Sequence, residues 1–270
     1  MRQFILPSSY HGEATFAVEG KESQYLSKVL RLKVGQQLLG RDQGGGKYML
    51  TLQEVTKNRC LLSCAKVDQQ DEVTSTDTLP AYRGPYPNLT LLQCLCKGRK
   101  EEQIFRQATE IGVSSLALVS SRYCIPDLSE KKEHALTSRF DRLEAQVKEA
   151  LQQSGSPLST TMVPHILPLE EVPKWWNNRG LALFFHQSER EQPQPSLTKL
   201  LSDHPIERPI AVLVGPEGGF SDEECTFLEE AGFHAVLLKT NILRSETAGV
   251  YALSAIQVIL TERETKPVHL

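Results

Sequence analysis

The chain has no apolar run near the roughly 18–20 residues that a bilayer-spanning helix needs, so nothing in it reads as membrane-embedded. Its first residues, MRQFILPSSYHGE, lack the long apolar stretch of a secretory leader, and a cytoplasmic location is the expectation. The six cysteines (Cys60, Cys64, Cys94, Cys96, Cys124 and Cys225) include no CxxC pair matched by a second, which argues against zinc and any other metal. They read as small buried side chains kept reduced, and Cys94 and Cys96, two apart in a strand-like run, as neighbours on one sheet face. No GxGxxG follows an early strand with a distal acidic partner, which excludes a dinucleotide-dependent oxidoreductase. Internal repeats are absent as well. What is present is ordinary for a soluble globular protein: 270 residues, 40% hydrophobic and 23% charged, enough for one large domain or two modest ones.

Charge is unevenly distributed. Residues 1–67 hold ten Lys/Arg against five Asp/Glu, so the net −3 divides into +5 there and −8 elsewhere. A basic small module on an acidic body suggests that the N-terminal part meets a polyanion. That module has a short helical piece at Gln24 to Leu30 and strand-like runs at Leu38-Leu39, Tyr48 to Val55 and Arg59 to Val67, with a turn at Gly44 to Gly46. A Ser/Thr/Asp-rich stretch with Pro80, Pro85 and Pro87 follows, so the domains are placed at 1–72 and 89–270 with 73–88 as linker.

From Leu89 strands and helices alternate. Strands are expected at Leu89 to Cys96, Leu116 to Ser120, Val163 to Ile166, Leu181 to His186, Ile210 to Val214 and Ala235 to Leu238. Helices are expected at Glu101 to Ile111 with Gly112 beyond its end, Glu130 to Gln153, Ser221 to Ala231 and about Thr247 to Thr261. Ser221 with Glu224 three residues on is a capping box, and Gly232 closes that helix. The alternation implies an α/β domain with a largely parallel sheet covered by helices on both faces.

Two segments carry the chemistry. VLVGPEGGFSDEE (Val212 to Glu224) and LLKTNILRSETAGVYALSAI (Leu237 to Ile256) both read as strand, loop, helix. Loops at the carboxyl ends of adjacent strands in an open α/β sheet are where ligands bind. GPEGGF lacks the lysine and Ser/Thr of a P-loop. Its Glu217 is read either as a carboxylate for a cation or ammonium, or as a turn cap. In the second segment Thr247 or Ser245 would cap the helix and Glu246 would suit its dipole. Arg244, between apolar strand and helix, calls for an anionic partner.

Together these motifs resemble the signature of the SPOUT (α/β-knot) RNA methyltransferases, and more closely the subfamily that methylates N3 of a uridine in small-subunit ribosomal RNA. KESQYLSKVLRLKVGQ is similar to the N-terminal signature of that family's PUA-like RNA-binding domain, a small β-barrel. CLCKGRKEEQIFRQATEIGV resembles the opening of its catalytic domain, VKEALQQSGS a later helix end, and ALFFHQSE the strand and acidic loop ahead of the knot. The resemblance covers nearly the whole chain. It implies a trefoil-knotted domain, a homodimer, and S-adenosylmethionine bound mostly through backbone groups. By position these lie in Leu213, Val214, Gly215, Pro216, Glu217, Gly218 and Gly219, in Leu237, Leu238, Lys239 and Thr240, and in Ile242, Leu243, Ser245 and Thr247, with His186 and Glu189 from the preceding loop. Lys28, Arg31, Lys33, Arg99 and Arg106 fall in segments implied to bind RNA.

Within that reading Arg244 meets negative charge developing on the uracil carbonyls, and Glu246 is the base or the group that orients Arg244. The chain departs from the family at Gln107 and Ser156, where basic residues are usual, at Lys239-Thr240-Asn241 in place of Gly-x-Arg, and at Gln24-Tyr25 in place of a histidine-containing pair. Those departures bear on RNA affinity more than on the methyl donor. Two other readings fit the C-terminal motifs: an enzyme methylating a ribose 2′-hydroxyl or another RNA base, and a non-catalytic RNA-binding assembly factor.

Overall fold

Two strands that are buried along their whole length organise the larger part of the molecule. In the computed structural model, which describes residues 3–67, 85–124, 133–187 and 194–265, all six residues of Leu89–Cys94 (β6) and all five of Ile210–Val214 (β10) are buried. Near-continuous apolar runs of this kind suit the centre of a parallel sheet covered on both faces. Ser115–Ser120 (β7), Thr161–Pro168 (β8), Leu181–Phe185 (β9) and His234–Val236 (β11) complete a six-stranded sheet in the order β11-β9-β10-β6-β7-β8, every pair parallel. At its centre Val212 is in register with Leu183 on one side and Leu91 on the other.

Pleating sends alternate residues to two cores. Leu92, Ala117, Phe184 and Leu213 join the cluster containing Val172 and Trp176 of Val172–Trp176 (α4) and Cys225 and Leu228 of Asp222–Glu230 (α6). Gln93 and Val214 face the opposite way, toward Gly249 of the last helix, Ser245–Thr265 (α7). Lys100–Ile111 (α2), closed by Gly112 in the left-handed region, and Leu197–Ser202 (α5) pack on α7. Glu133–Ser154 (α3) is joined to α2 by a buried ion pair, Arg139 to Glu101 at 2.5 Å.

Residues 3–67 form a second unit together with Leu151–Ser159. Its five-stranded sheet runs β1-β3-β4-β5-β2, from Gln3–Ile5 (β1), Thr15–Glu19 (β2), Gln37–Arg41 (β3), Lys47–Val55 (β4) and Arg59–Lys66 (β5). Only the β1–β3 pair is parallel. Gly20–Gln24 (α1) continues into a π-helical turn at Tyr25–Val29, which seats Leu26 in a core with Phe4, Leu50, Leu52 and Leu62. Gln3 is fully buried and donates to the carbonyls of Leu151 (2.9 Å) and Ser156 (3.1 Å), which fastens residues 151–159 to this unit.

Several expectations shift. β1, β2, α4 and α5 are not read from the sequence. Strand β6 stops at Cys94, so Cys96 lies beyond the sheet, where its amide donates to Glu101 at 2.8 Å. All six cysteines are free. Of the segment read as a linker, residues 73–84 lie outside the described residues, as do 130–132 at the expected start of α3. Tyr86 is buried in the larger unit, its amide donating to Gln257. Among the described residues no helix is long and apolar enough to cross a membrane, and no group of three or more His, Cys, Asp or Glu is placed to hold a metal ion.

Candidate active site

Because β11, β9 and β10 are parallel neighbours, the loops that leave their carboxyl ends emerge side by side. The first, Gly215 to Phe220, runs into α6, whose capping box forms as the sequence signals: Ser221 Oγ accepts from the Glu224 amide at 3.2 Å and Glu224 accepts from the Ser221 amide at 2.8 Å. The other oxygen of Glu224 accepts from the Arg122 amide at 2.7 Å, so the turn after β7 is tied to the same loop.

The second loop, residues 237–244, enters α7 two residues earlier than expected. The Arg244 carbonyl accepts from the amides of Thr247 and Ala248, which makes Arg244 the entry residue and leaves neither Ser245 nor Thr247 as cap. Ser245 is used differently. Its hydroxyl donates to the Gly215 carbonyl at 3.0 Å and accepts from Gln93 Nε2 at 3.0 Å, so one buried hydroxyl joins β6, the glycine-rich loop and α7. Burying three polar groups is tolerated because they bond to one another.

These loops enclose a cleft of about 290 Å³. Of the residues assigned to the methyl donor, His186, Val214, Gly215, Pro216, Glu217, Gly219, Leu238, Thr240, Ile242, Leu243 and Ser245 line it, and Arg244 joins them. Leu213, Gly218, Leu237, Lys239 and Thr247 do not. For Leu213 the reason is the pleat, which turns it into the α4–α6 core. Glu189 lies outside the described residues. Gln187, within the loop from His186 to Glu189 that the resemblance implies, lines the cleft too; Phe185, Asn241 and Ala248 also line it, and motif reading missed them. Lys28, Arg31 and Lys33 are exposed on the smaller unit, and Arg99 and Arg106 are exposed at and within α2 of the larger one.

Glu246 does not line the cleft; it pairs with Lys100, the first residue of α2. The Lys100 ammonium lies 2.8 Å from Glu217 Oε1 and 3.1 Å from Glu246 Oε2, and the Lys97 amide donates to the same Glu217 oxygen at 3.2 Å. Glu217 and, after it, Glu246 hold the ammonium above the usual lysine range. Burial alone would raise both carboxyls, but for Glu217 the Lys100 bond and backbone amides, and for Glu246 its backbone amide, Lys100 and Arg244, hold them below the carboxylate range. An ion-paired carboxylate of lowered pKa is a weak proton acceptor. In this arrangement Glu246 is tied to Lys100, and Glu217 is anchored by Lys100 and the Lys97 amide. Lys100 was also missed from sequence, although a cation at the positive end of a helix is an anomaly that asks for acidic partners.

Comparison with known proteins bears on the whole of this architecture. Residues 83–257 match the model of the RNA methyltransferase domain. The chain is similar to ribosomal RNA small subunit methyltransferase E of Bacillus subtilis (26% identity, covering 90% of this chain and 89% of the relative) and to that of Synechocystis (29%, 92% and 74%). It also resembles the crystal structure of ribosomal RNA small subunit methyltransferase E from Neisseria gonorrhoeae bound to S-adenosyl methionine, with a TM-score of 0.78 and 25% identity over 96% of this chain and 98% of the other. With the family model spanning well over half its length and the fold and cleft in agreement, the chain belongs to the RNA methyltransferase domain family.

Proposed function

We propose that this protein transfers the methyl group of S-adenosylmethionine to N3 of a uridine in small-subunit ribosomal RNA. The observation that carries the reading is a cleft between loops that follow β9, β10 and β11, with Arg244 at it in an RNA methyltransferase chain. Named relatives that act on small-subunit RNA over nearly the full chain length support the substrate class.

The cleft's chemistry fits the donor. Phe185, Val214, Leu238, Leu243 and Ala248 offer apolar walls for a purine, while Thr240, Asn241, Ser245 and loop backbone offer polar groups for a ribose and amino acid. When bound, S-adenosylmethionine supplies an electrophilic methyl carbon on a sulfonium. The protein's own task is to present uracil N3 in line with that carbon, and to steady the charge left on O2 and O4 when the N3 proton departs. Arg244 is exposed, and among the described residues nothing accepts a hydrogen bond from its guanidinium, so the fork is available for a uracil carbonyl. Incubating the protein and donor with small-subunit RNA lacking the modification, then measuring nucleosides by mass spectrometry, tests the reading. Appearance of a 2′-O-methyl nucleoside instead of 3-methyluridine would replace it.

The exposed Lys28, Arg31 and Lys33 of the smaller unit are read as phosphate contacts. Replacing all three by alanine is expected to weaken RNA binding and to flatten the dependence of log affinity on log salt by about 2 to 3, since each phosphate contact contributes about 0.7–0.9. An unchanged slope in filter binding would remove them from the interface.

A homodimer within a knotted fold is part of the same proposal. On α7, Tyr251 (48% exposed) and Val258 (54%) stand seven residues apart on one helix face, an apolar stripe suited to a second copy. Tyr251→Asp is expected to halve the mass seen by light scattering at micromolar concentration. A wild-type monomer would refute the dimer.

A further inference from the structure

We infer that Lys100 is a positioning residue of the active site, which keeps Arg244 available to substrate by holding Glu246 away from it; the inference rests on the methyl-transfer reading above.

A lysine is poorly placed at the first position of a helix, where the macrodipole is positive, and the rest of that turn, Glu101 and Glu102, is acidic as expected. Neither of those glutamates serves Lys100. Glu101 takes the Cys96 amide and Arg139, and Glu102 takes Arg142. Instead the Lys100 ammonium spans two distant segments, Glu217 in the loop after β10 and Glu246 in the first turn of α7. These same segments are already joined deeper in the molecule by the Gln93–Ser245–Gly215 relay. A buried neutral joint fixes the backbone by itself. What the partly exposed ionic joint adds is control over where two negative charges lie.

That control matters because Glu246 is two residues from Arg244. The arginine contributes to holding the Glu246 carboxyl low, so the two charges already feel one another. With Lys100 absent, Arg244 is the cation nearest in sequence to the Glu246 carboxylate, and a carboxylate that engages the guanidinium bidentately removes the fork from substrate. Lys100 thus acts on the reaction through Glu246 and Arg244 without touching the reacting atoms.

The test is a double-mutant cycle of Lys100→Met and Glu246→Gln, with Lys100→Arg as the conservative variant. Lys100→Met is expected to lower kcat for methylation of small-subunit RNA by about tenfold, with donor Kd from calorimetry within about threefold of wild type. In the Glu246→Gln background the same change is expected to cost little, and Lys100→Arg is expected to keep most of the rate. A purely structural lysine would give no such suppression. In donor-free protein, urea midpoints should show coupling of the pair: Glu246→Gln destabilises wild type more than it does Lys100→Met. Full activity of Lys100→Met, or an equal loss in both backgrounds, would overturn the inference. If wild-type protein forms no methylated nucleoside, the methyl-transfer reading fails instead, and missing coupling in the unfolding cycle still overturns the Lys100 assignment.

Discussion

Arg244→Ala is expected to lower methyl transfer to small-subunit RNA by about 10²–10³-fold, the loss typical of removing one donor to a developing oxyanion, while donor affinity is expected to stay within about threefold. The split follows from where the side chain sits. Arg244 is exposed at the cleft and, among the described residues, nothing accepts a hydrogen bond from its guanidinium, so the free protein loses little packing with it. The helix entry is made by its backbone carbonyl, which alanine retains. Arg244→Lys keeps the charge but not the planar fork and is expected to recover only part of the rate. Single-turnover rates and calorimetry on the same preparations check this. Turnover equal to wild type excludes Arg244 from the chemistry, and an affinity loss that matches the rate loss makes it a donor-binding residue.

The largest effect on stability is expected from Gly180→Ala. Gly180 stands at the entry to β9, where the Leu181 amide donates to the Pro209 carbonyl at 3.0 Å and opens the β9–β10 pairing. A Cβ on Gly180 would run into the Pro209 carbonyl oxygen, with the Pro209 carbon 2.8 Å and nitrogen 3.1 Å away. Those atoms are backbone in the strand connection, so nothing flexible yields. The cost is on the order of 3 kcal/mol, at the upper end for overpacking, and about 10 °C in the melting temperature for a unit of this size. Gly232→Ala is the control. Its φ is +86° but no atom lies within 4 Å of the added methyl, so only backbone strain of about 1–2 kcal/mol applies. Equal melting temperatures for the two variants would show that the approach to Pro209 is looser than described.

How far the sequence carries the argument depends on the kind of signal. The parallel sheet was legible because β10 is apolar throughout and β6 nearly so, with helical periods between them, a pattern that sets strand and helix without knowledge of partners. Helix α6 was legible to its cap, because Ser221 and Glu224 bond to each other within one turn. The two C-terminal loops also stood out, and the structure brings most of their assigned residues to one cleft. Ser245 was misread as a cap, since its true partners, Gln93 and Gly215, lie 152 and 30 residues away. Lys100 was passed over for the same reason: Glu217 and Glu246 are remote along the chain, and an isolated lysine on a helix reads as a solvated charge.

The chain's order of residues was therefore sufficient for whatever depends on near neighbours: the period of each long element, the capping box, the glycine-rich turn, the basic first module and the motif pair that places it among RNA methyltransferases. Tertiary structure alone decided that residues 151–159 pack with the first unit, that Leu213 turns away from the cleft while Val214 faces it, and that one ammonium holds two acidic side chains, one from the loop after β10 and one from the first turn of α7. Local periodicity is a property of backbone geometry over a few residues. Hydrogen bonds and ion pairs between remote segments exist only after the chain has closed on itself, and no short window of sequence contains both partners.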